Sequence, residues 1–156
     1  MPVDVMIMTD GEVYRTYADE LLRFATALVG PVGAEDVLGD AVMSAFASRS
    51  WPAVQNRRAY LYRAVLNQAR SVHRSTQRRL AREAASASDD RFEPPAVRAE
   101  VLAALRRLTV RQRAVVFLTY WVDLQPEAIA EQLQITARTV QRDVRSAHGR
   151  LEVLLG

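Results

Sequence analysis

The chain has 156 residues, 49% of them hydrophobic, enough for one ordinary domain or two small ones with a real core, which excludes wholesale disorder. It contains no cysteine and only two histidines, His73 and His148, which excludes disulfides and thiolate metal sites and leaves no histidine-rich metal centre to look for. The formal net charge of +3 hides a segregation: residues 41–82 carry nine arginines and no acid, residues 1–40 carry eight acids and two arginines, and no lysine occurs anywhere.

The apolar pattern is helical almost throughout. Val13, Tyr17, Leu21, Phe24, Ala25 and Leu28 step at three and four residues and predict a helix over about 11–29. Gly30-Pro31-Val32-Gly33 breaks it. Val37, Leu38, Ala41, Val42, Ala45 and Phe46 predict a second helix over about 34–48, with Glu35 and Asp36 suited to its positive N-terminal end. Trp51-Pro52 ends that segment. Tyr60, Leu61, Ala64, Val65, Ala69 and Val72 predict a long third helix over about 56–80. Residues 83–96 are small, acidic and proline-containing and read as a flexible linker, with a reach of at most roughly 46–50 Å.

Beyond Pro95 the helical pattern resumes with Val97, Val101, Leu102, Leu105 and Leu108. Residues 110–122 are apolar nearly all round and are expected to be the buried centre of a second domain. Pro126 suits a helix first turn, Ile129, Ala130 and Leu133 face inward, and Thr136 can cap a last helix carried by Val140, Val144, Ala147 and Leu151. The fold class is therefore all-α, with two small helical domains over 10–82 and 97–156.

Residues 126–150 have the plan of a helix-turn-helix. Ala130 is the small residue where two helices cross, and the second helix presents Thr136, Arg138, Thr139, Gln141, Arg142 and Arg145 outward. Gln141 suits adenine, and the arginines suit guanine or phosphate. An ordinary hairpin with a solvated arginine face is the alternative that spacing leaves open. On the third helix Asn56, Tyr60, Arg63, Asn67, Arg70 and Arg74 share one face. Cations for a backbone, with a ring and amides for bases, are what an opened DNA strand requires. Nine like charges without an acid make a polyanion partner the better account than mere solvation. No catalytic constellation, glycine-rich phosphate loop or metal-ligand spacing is present, so no enzyme activity, cofactor or metal is expected.

Four segments together resemble the extracytoplasmic-function sigma factors of the sigma-70 family. Ala34-Glu35-Asp36-Val37-Leu38-Gly39-Asp40-Ala41-Val42 looks like the helix that grips the largest polymerase subunits. Tyr60-Leu61-Tyr62-Arg63-Ala64-Val65-Leu66-Asn67 looks like the helix that reads the opened −10 element. Leu105-Arg106-Arg107-Leu108-Thr109-Val110-Arg111-Gln112-Arg113, and Ile129-Ala130 through Thr139-Val140, look like the unit that reads the −35 element. The resemblance implies a sigma2-like bundle and a sigma4-like helix-turn-helix domain, and a factor that binds core RNA polymerase (its beta and beta-prime subunits) and opens promoter DNA.

By the same resemblance Asp36, Asp40 and Met43 contact polymerase. Asn56, Arg57, Arg58, Tyr60, Arg63, Asn67, Arg70 and Arg74 line the −10 strand. Arg111, Arg113, Thr136, Arg138, Thr139, Gln141, Arg142 and Arg145 hold the −35 duplex. An anti-sigma factor is a further partner of this class. No apolar run approaches the roughly eighteen residues that span a bilayer, and Met1–Asp10 lacks the basic flank of a signal peptide, so a cytoplasmic protein is expected.

Three positions depart from the family pattern. Gly39 sits inside a helix at a cost of about 1 kcal/mol against alanine. Gln134 replaces the turn glycine, where a left-handed backbone is strained. Asp143 stands where arginine is usual, and is expected either to accept from cytosine or to orient Arg142. Two rival readings differ in their requirements. A free-standing helix-turn-helix regulator leaves the arginine helix unexplained, and a helical adaptor that binds no DNA predicts no salt-dependent DNA affinity.

Overall fold

The computed structural model describes residues 8–83 and 103–155, and every regular element in them is helical. The helices are α1 (Asp10–Val29), α2 (Ala34–Ala47), α3 (Arg57–Glu83), α4 (Val110–Tyr120), α5 (Pro126–Leu133) and α6 (Ala137–Leu155), with a 3₁₀ turn at Trp51–Ala53. The expected linker lies outside the described residues beyond Glu83. Of the helix expected at 97–108, the described part is helical over 103–106.

Local chemistry sets most helix ends. The Thr9 hydroxyl accepts from the Glu12 amide at 3.2 Å and starts α1, and Gly30, at φ 86°, ends it. The Asn56 side chain accepts from the Ala59 amide at 3.0 Å at the start of α3. Thr109 and Gln112 form a reciprocal capping box on α4. Pro126 opens α5, and the Thr136 hydroxyl accepts from the Thr139 amide at 3.1 Å to begin α6, as its position predicts.

Helices α1, α2 and α3 pack on one another as one unit, and α4, α5 and α6 as a second. The aromatic Phe24 is fully buried in the first unit, with its ring 4.8 Å from that of Tyr62. It also lies 5.3 Å from the ring of Phe117 in α4, so one hydrophobic core runs through both units. Across this seam α4 packs on α1 and α3, and α5 packs on α3. The expectation for 110–122 holds for Val115, Phe117 and Leu118, which are buried, but not for its end. Tyr120 is 53% and Trp121 72% exposed, because α4 stops at Tyr120 and the chain turns away.

Candidate nucleic-acid interface

An open cleft of about 490 Å³ lies between α2 and α3. Its α3 wall is Tyr60, Arg63, Ala64, Asn67 and Gln68, and its α2 side is Ala41, Ser44, Ala45 and Ser48. The second wall follows a helical stripe of small residues, which leaves room between the helices. Tyr60 is held by a chain of rings, 5.6 Å from Trp51, which in turn lies 5.0 Å from Phe46. Hydrogen bonds from Ser48 and Ser50 favour its ionised form and lower its pKa from the ordinary phenol value. The Arg63 guanidinium lies 5.6 Å from the Tyr60 ring centre. A ring, a cation and an amide thus converge on one space, the set that an unstacked base and its phosphate require.

Not all of the expected −10 residues join them. Asn56 is exposed, with its side-chain oxygen committed to the α3 cap. Arg57 is buried, donates to the Met8 carbonyl at 3.3 Å and lies over the Trp51 ring at 4.9 Å. Arg58 donates twice to Glu20, at 2.8 Å from both Nε and Nη2. The Tyr62 hydroxyl donates to the same carboxylate at 3.1 Å. The Glu20 bond drives the Arg58 pKa upward, and burial beside that carboxylate drives the Tyr62 hydroxyl well above the ordinary phenol range. These two arginines therefore fasten α3 to the rest of the first unit. Arg70 is half-buried toward the second unit and Arg74 is exposed on α3.

The α2 residues Asp36, Asp40 and Met43 are all exposed and recur at four and three residues on one face, with Met43 73% exposed. Gly39 has open space around it: a methyl group there would meet nothing within 4 Å.

On α6 the buried Val140 and Ala147 face the core, and Arg138, Gln141, Arg142 and Arg145 form an exposed stripe on the other side. Thr139 is half-buried, and the Thr136 hydroxyl is shared with Thr139 in the cap. Gln134 ends α5 in the left-handed region, φ 58° and ψ 47°, so the strain expected of a non-glycine residue is present. Asp143 corrects its expectation. It is buried and takes a bidentate bond from Arg111 of α4, 2.7 Å from Nε and 3.1 Å from Nη2, and neither faces a base nor orients Arg142. Arg113 is also turned inward. Its guanidinium donates to the carbonyls of Leu105, at 2.7 Å, Arg106 and, across the seam, Leu28. Burial lowers its pKa. Sequence reasoning passed over Ser44, Ser48, Gln68 and Gln134 as cleft residues. The stripe at 41, 44, 45 and 48 was the signal for the α2 pair, and nothing local marks Gln134.

Among the described residues no group of three or more acidic, histidine or cysteine side chains is placed to hold a metal ion, and no helix is long and apolar enough to cross a membrane.

Comparison with known proteins supplies the family. Residues 98–148 match the family model "Sigma-70, region 4". The chain is 33% identical over 150 residues to the RNA polymerase sigma-E factor of Streptomyces coelicolor, covering 90% of this chain and 82% of the relative. It is 33% identical to the factor of the same name from Streptomyces avermitilis, over 90% of this chain and 81% of that one. The sigma factor RpoE of Bartonella quintana, solved in complex with the anti-sigma factor NepR, superposes with a TM-score of 0.73 at 22% identity, covering 93% of this chain and 95% of that one, and so shares the fold. The chain belongs to the RNA polymerase sigma factors, in the extracytoplasmic-function group of the sigma-70 family.

Proposed function

We propose that this sigma factor divides promoter recognition between its two helical units and acts by binding alone, without chemistry of its own. The first unit, residues 10–82, meets core polymerase through Asp36, Asp40 and Met43 and takes the opened −10 strand into the α2–α3 cleft. The second, residues 97–156, lays α6 in the major groove of the −35 duplex, and residues 83–96 join the two. The observation that carries this reading is the convergence of Tyr60, Arg63 and Asn67 on one cleft, beside an acidic face on α2. Phosphate contacts position, and base contacts specify. Arg63 and Arg74 supply the first on the strand, and Tyr60 and Asn67 the second. On the duplex Arg138, Arg142 and Arg145 face phosphate or guanine, and Gln141 faces adenine. Arg57, Arg58 and Arg113 have no part in this reading of the DNA face.

The place of work is the cytoplasm, where polymerase meets DNA. An anti-sigma factor is a further partner, supported by the relative RpoE having been solved with one. The test is transcription in vitro with core polymerase and fragmented genomic DNA. Promoter-specific transcripts are expected only when the chain and core are both present, whereas a free-standing regulator binds its DNA without core. Asn67→Ala should lower open-complex yield while core binding is retained. An unchanged yield would remove Asn67, and the cleft with it, from −10 recognition.

A further inference from the structure

Apolar packing fixes how deep α6 sits, but not how it is rolled about its own axis, because the hydrophobic effect has no direction. Val140 and Ala147 bury one side of α6. A second side carries three polar ties to α4 and to the residues just before it. Asp143 accepts two bonds from the Arg111 guanidinium, at 2.7 and 3.1 Å. The Ser146 hydroxyl accepts from the Gln112 side-chain nitrogen at 3.2 Å. The Arg150 guanidinium donates to the Arg107 carbonyl at 3.0 Å. Gln112 is held at both ends of its amide, since its side-chain oxygen accepts from the Thr109 amide in the α4 cap at 3.1 Å. Positions 143, 146 and 150 step at three and four residues and form one line along α6. At about 100° per residue, that line lies roughly a third of a turn from the exposed stripe of Arg138, Gln141, Arg142 and Arg145.

Pairing of a guanidinium fork with a carboxylate is directional in a way that apolar contact is not. The Asp143 side chain keeps 5% exposure and that of Arg111 33%. Drawing Arg111 out to a DNA phosphate would strand a buried carboxylate, the unfavourable outcome when a buried ion pair loses one partner. We infer that Arg111 and Asp143, backed by Gln112 and Ser146, are positioning residues for the −35 contacts: they set the roll of α6 on α4, and Arg111 itself meets no DNA. This rests on the reading of α6 as the −35 helix. A roll of about 10–20° carries a base contact out of its productive geometry. All the side chains of the stripe turn together, so loss of the pair degrades base discrimination without removing a phosphate contact.

The test uses holoenzyme, the full-length chain with core polymerase. Its DNA is a labelled promoter duplex recovered from the genomic transcription assay, beside a copy with one −35 base pair replaced. Affinities are measured over a salt series, well below the melting midpoint of each variant. Arg111→Gln and Asp143→Asn should each lower discrimination between the two duplexes by about tenfold, the scale of one lost bidentate base contact. The salt slope should not change. The charge-reversed double variant, Arg111→Asp with Asp143→Arg, should restore both affinity and discrimination, and it decides the matter alone if a single variant fails to fold. A phosphate contact at 111 would instead cost about 0.9 in the salt slope. The reversed chain, with an acid at 111, would then bind more weakly still. That result overturns the positioning role, as does unchanged discrimination in the single variants or a reversed chain no better than they are. Arg142→Ala tests the underlying reading in the same assay. If it alters neither affinity nor discrimination, the reading of α6 as the −35 helix falls. If it acts while Arg111→Gln does not, only the positioning role falls.

Discussion

Arg58 and Arg63 are five residues apart on one helix, and the proposed function gives them opposite work: Arg58 pairs with Glu20 inside the protein, and Arg63 meets the DNA strand. Replacing Arg58 with alanine removes two charge-assisted bonds to Glu20 and the contact over the Tyr62 ring at 5.5 Å. Fully buried bonds of that kind contribute about 1.5–3 kcal/mol each. Here the partners keep 35% and 30% side-chain exposure, so water recovers much of that value. The ring contact adds about 0.5–1 kcal/mol. The Tyr62 hydroxyl keeps its bond to Glu20, so no buried donor is stranded. The net cost is about 1–2 kcal/mol, a fall in melting temperature of about 2–8 °C for a chain of this size.

Arg63→Ala should leave the melting temperature nearly unchanged. It should instead reduce the salt dependence of single-strand binding by about 0.7 in the slope of log K against log salt, the loss of one phosphate contact. Thermal melts of both variants, with anisotropy titrations of a −10 single strand by the holoenzyme over a salt series, separate the two roles. If Arg58→Ala lowers the slope as Arg63→Ala does while the melting temperature holds, the Glu20 pair opens onto DNA and the assignment is refuted.

The remaining expectations concern other elements. Arg142→Ala should weaken −35 duplex binding by about 1–3 kcal/mol at one base position if it reads guanine, or reduce the salt slope by about 0.9 across all sequences if it holds phosphate. Competition between duplexes at two salt concentrations distinguishes these, and unchanged affinity moves the groove contacts elsewhere on α6. Gly39→Ala should stabilise the chain by about 1 kcal/mol in a denaturant melt, because the added methyl meets nothing and the helix gains propensity. A lower midpoint would show that Gly39 is needed where it stands.

The helices were legible in the sequence because each buries a stripe that repeats at 3.6 residues, and because Thr136 and Pro126 mark their ends by local hydrogen bonding and fixed φ. The ring, cation and amide of α3 were legible for the same reason: periodicity decides which residues share a face. What periodicity does not decide is where a long arginine side chain ends. Arg58 finds Glu20, 38 positions earlier, and Arg111 finds Asp143, 32 positions later. Such pairings depend on how helices cross, and no spacing rule within one helix contains that. Arg113 is a sharper case. It lies two residues from Arg111 in a motif associated with DNA, yet those two helical steps of about 100° each turn its guanidinium away from the Asp143 pair and into the seam with α1. The seam was illegible for a related reason: the stripe on α1 reads equally well as facing α2 and α3 alone, and nothing in it announces Phe117.

Phe24 gives the free factor a thermodynamic identity that its two-part plan conceals. Its one ring packs against Tyr62 of its own unit and Phe117 of the other, so neither unit can melt without uncovering part of the shared core. The free chain then unfolds as a single cooperative block and gives one calorimetric transition with matching van 't Hoff enthalpy. Proteases that need a locally opened helix find few such openings in it.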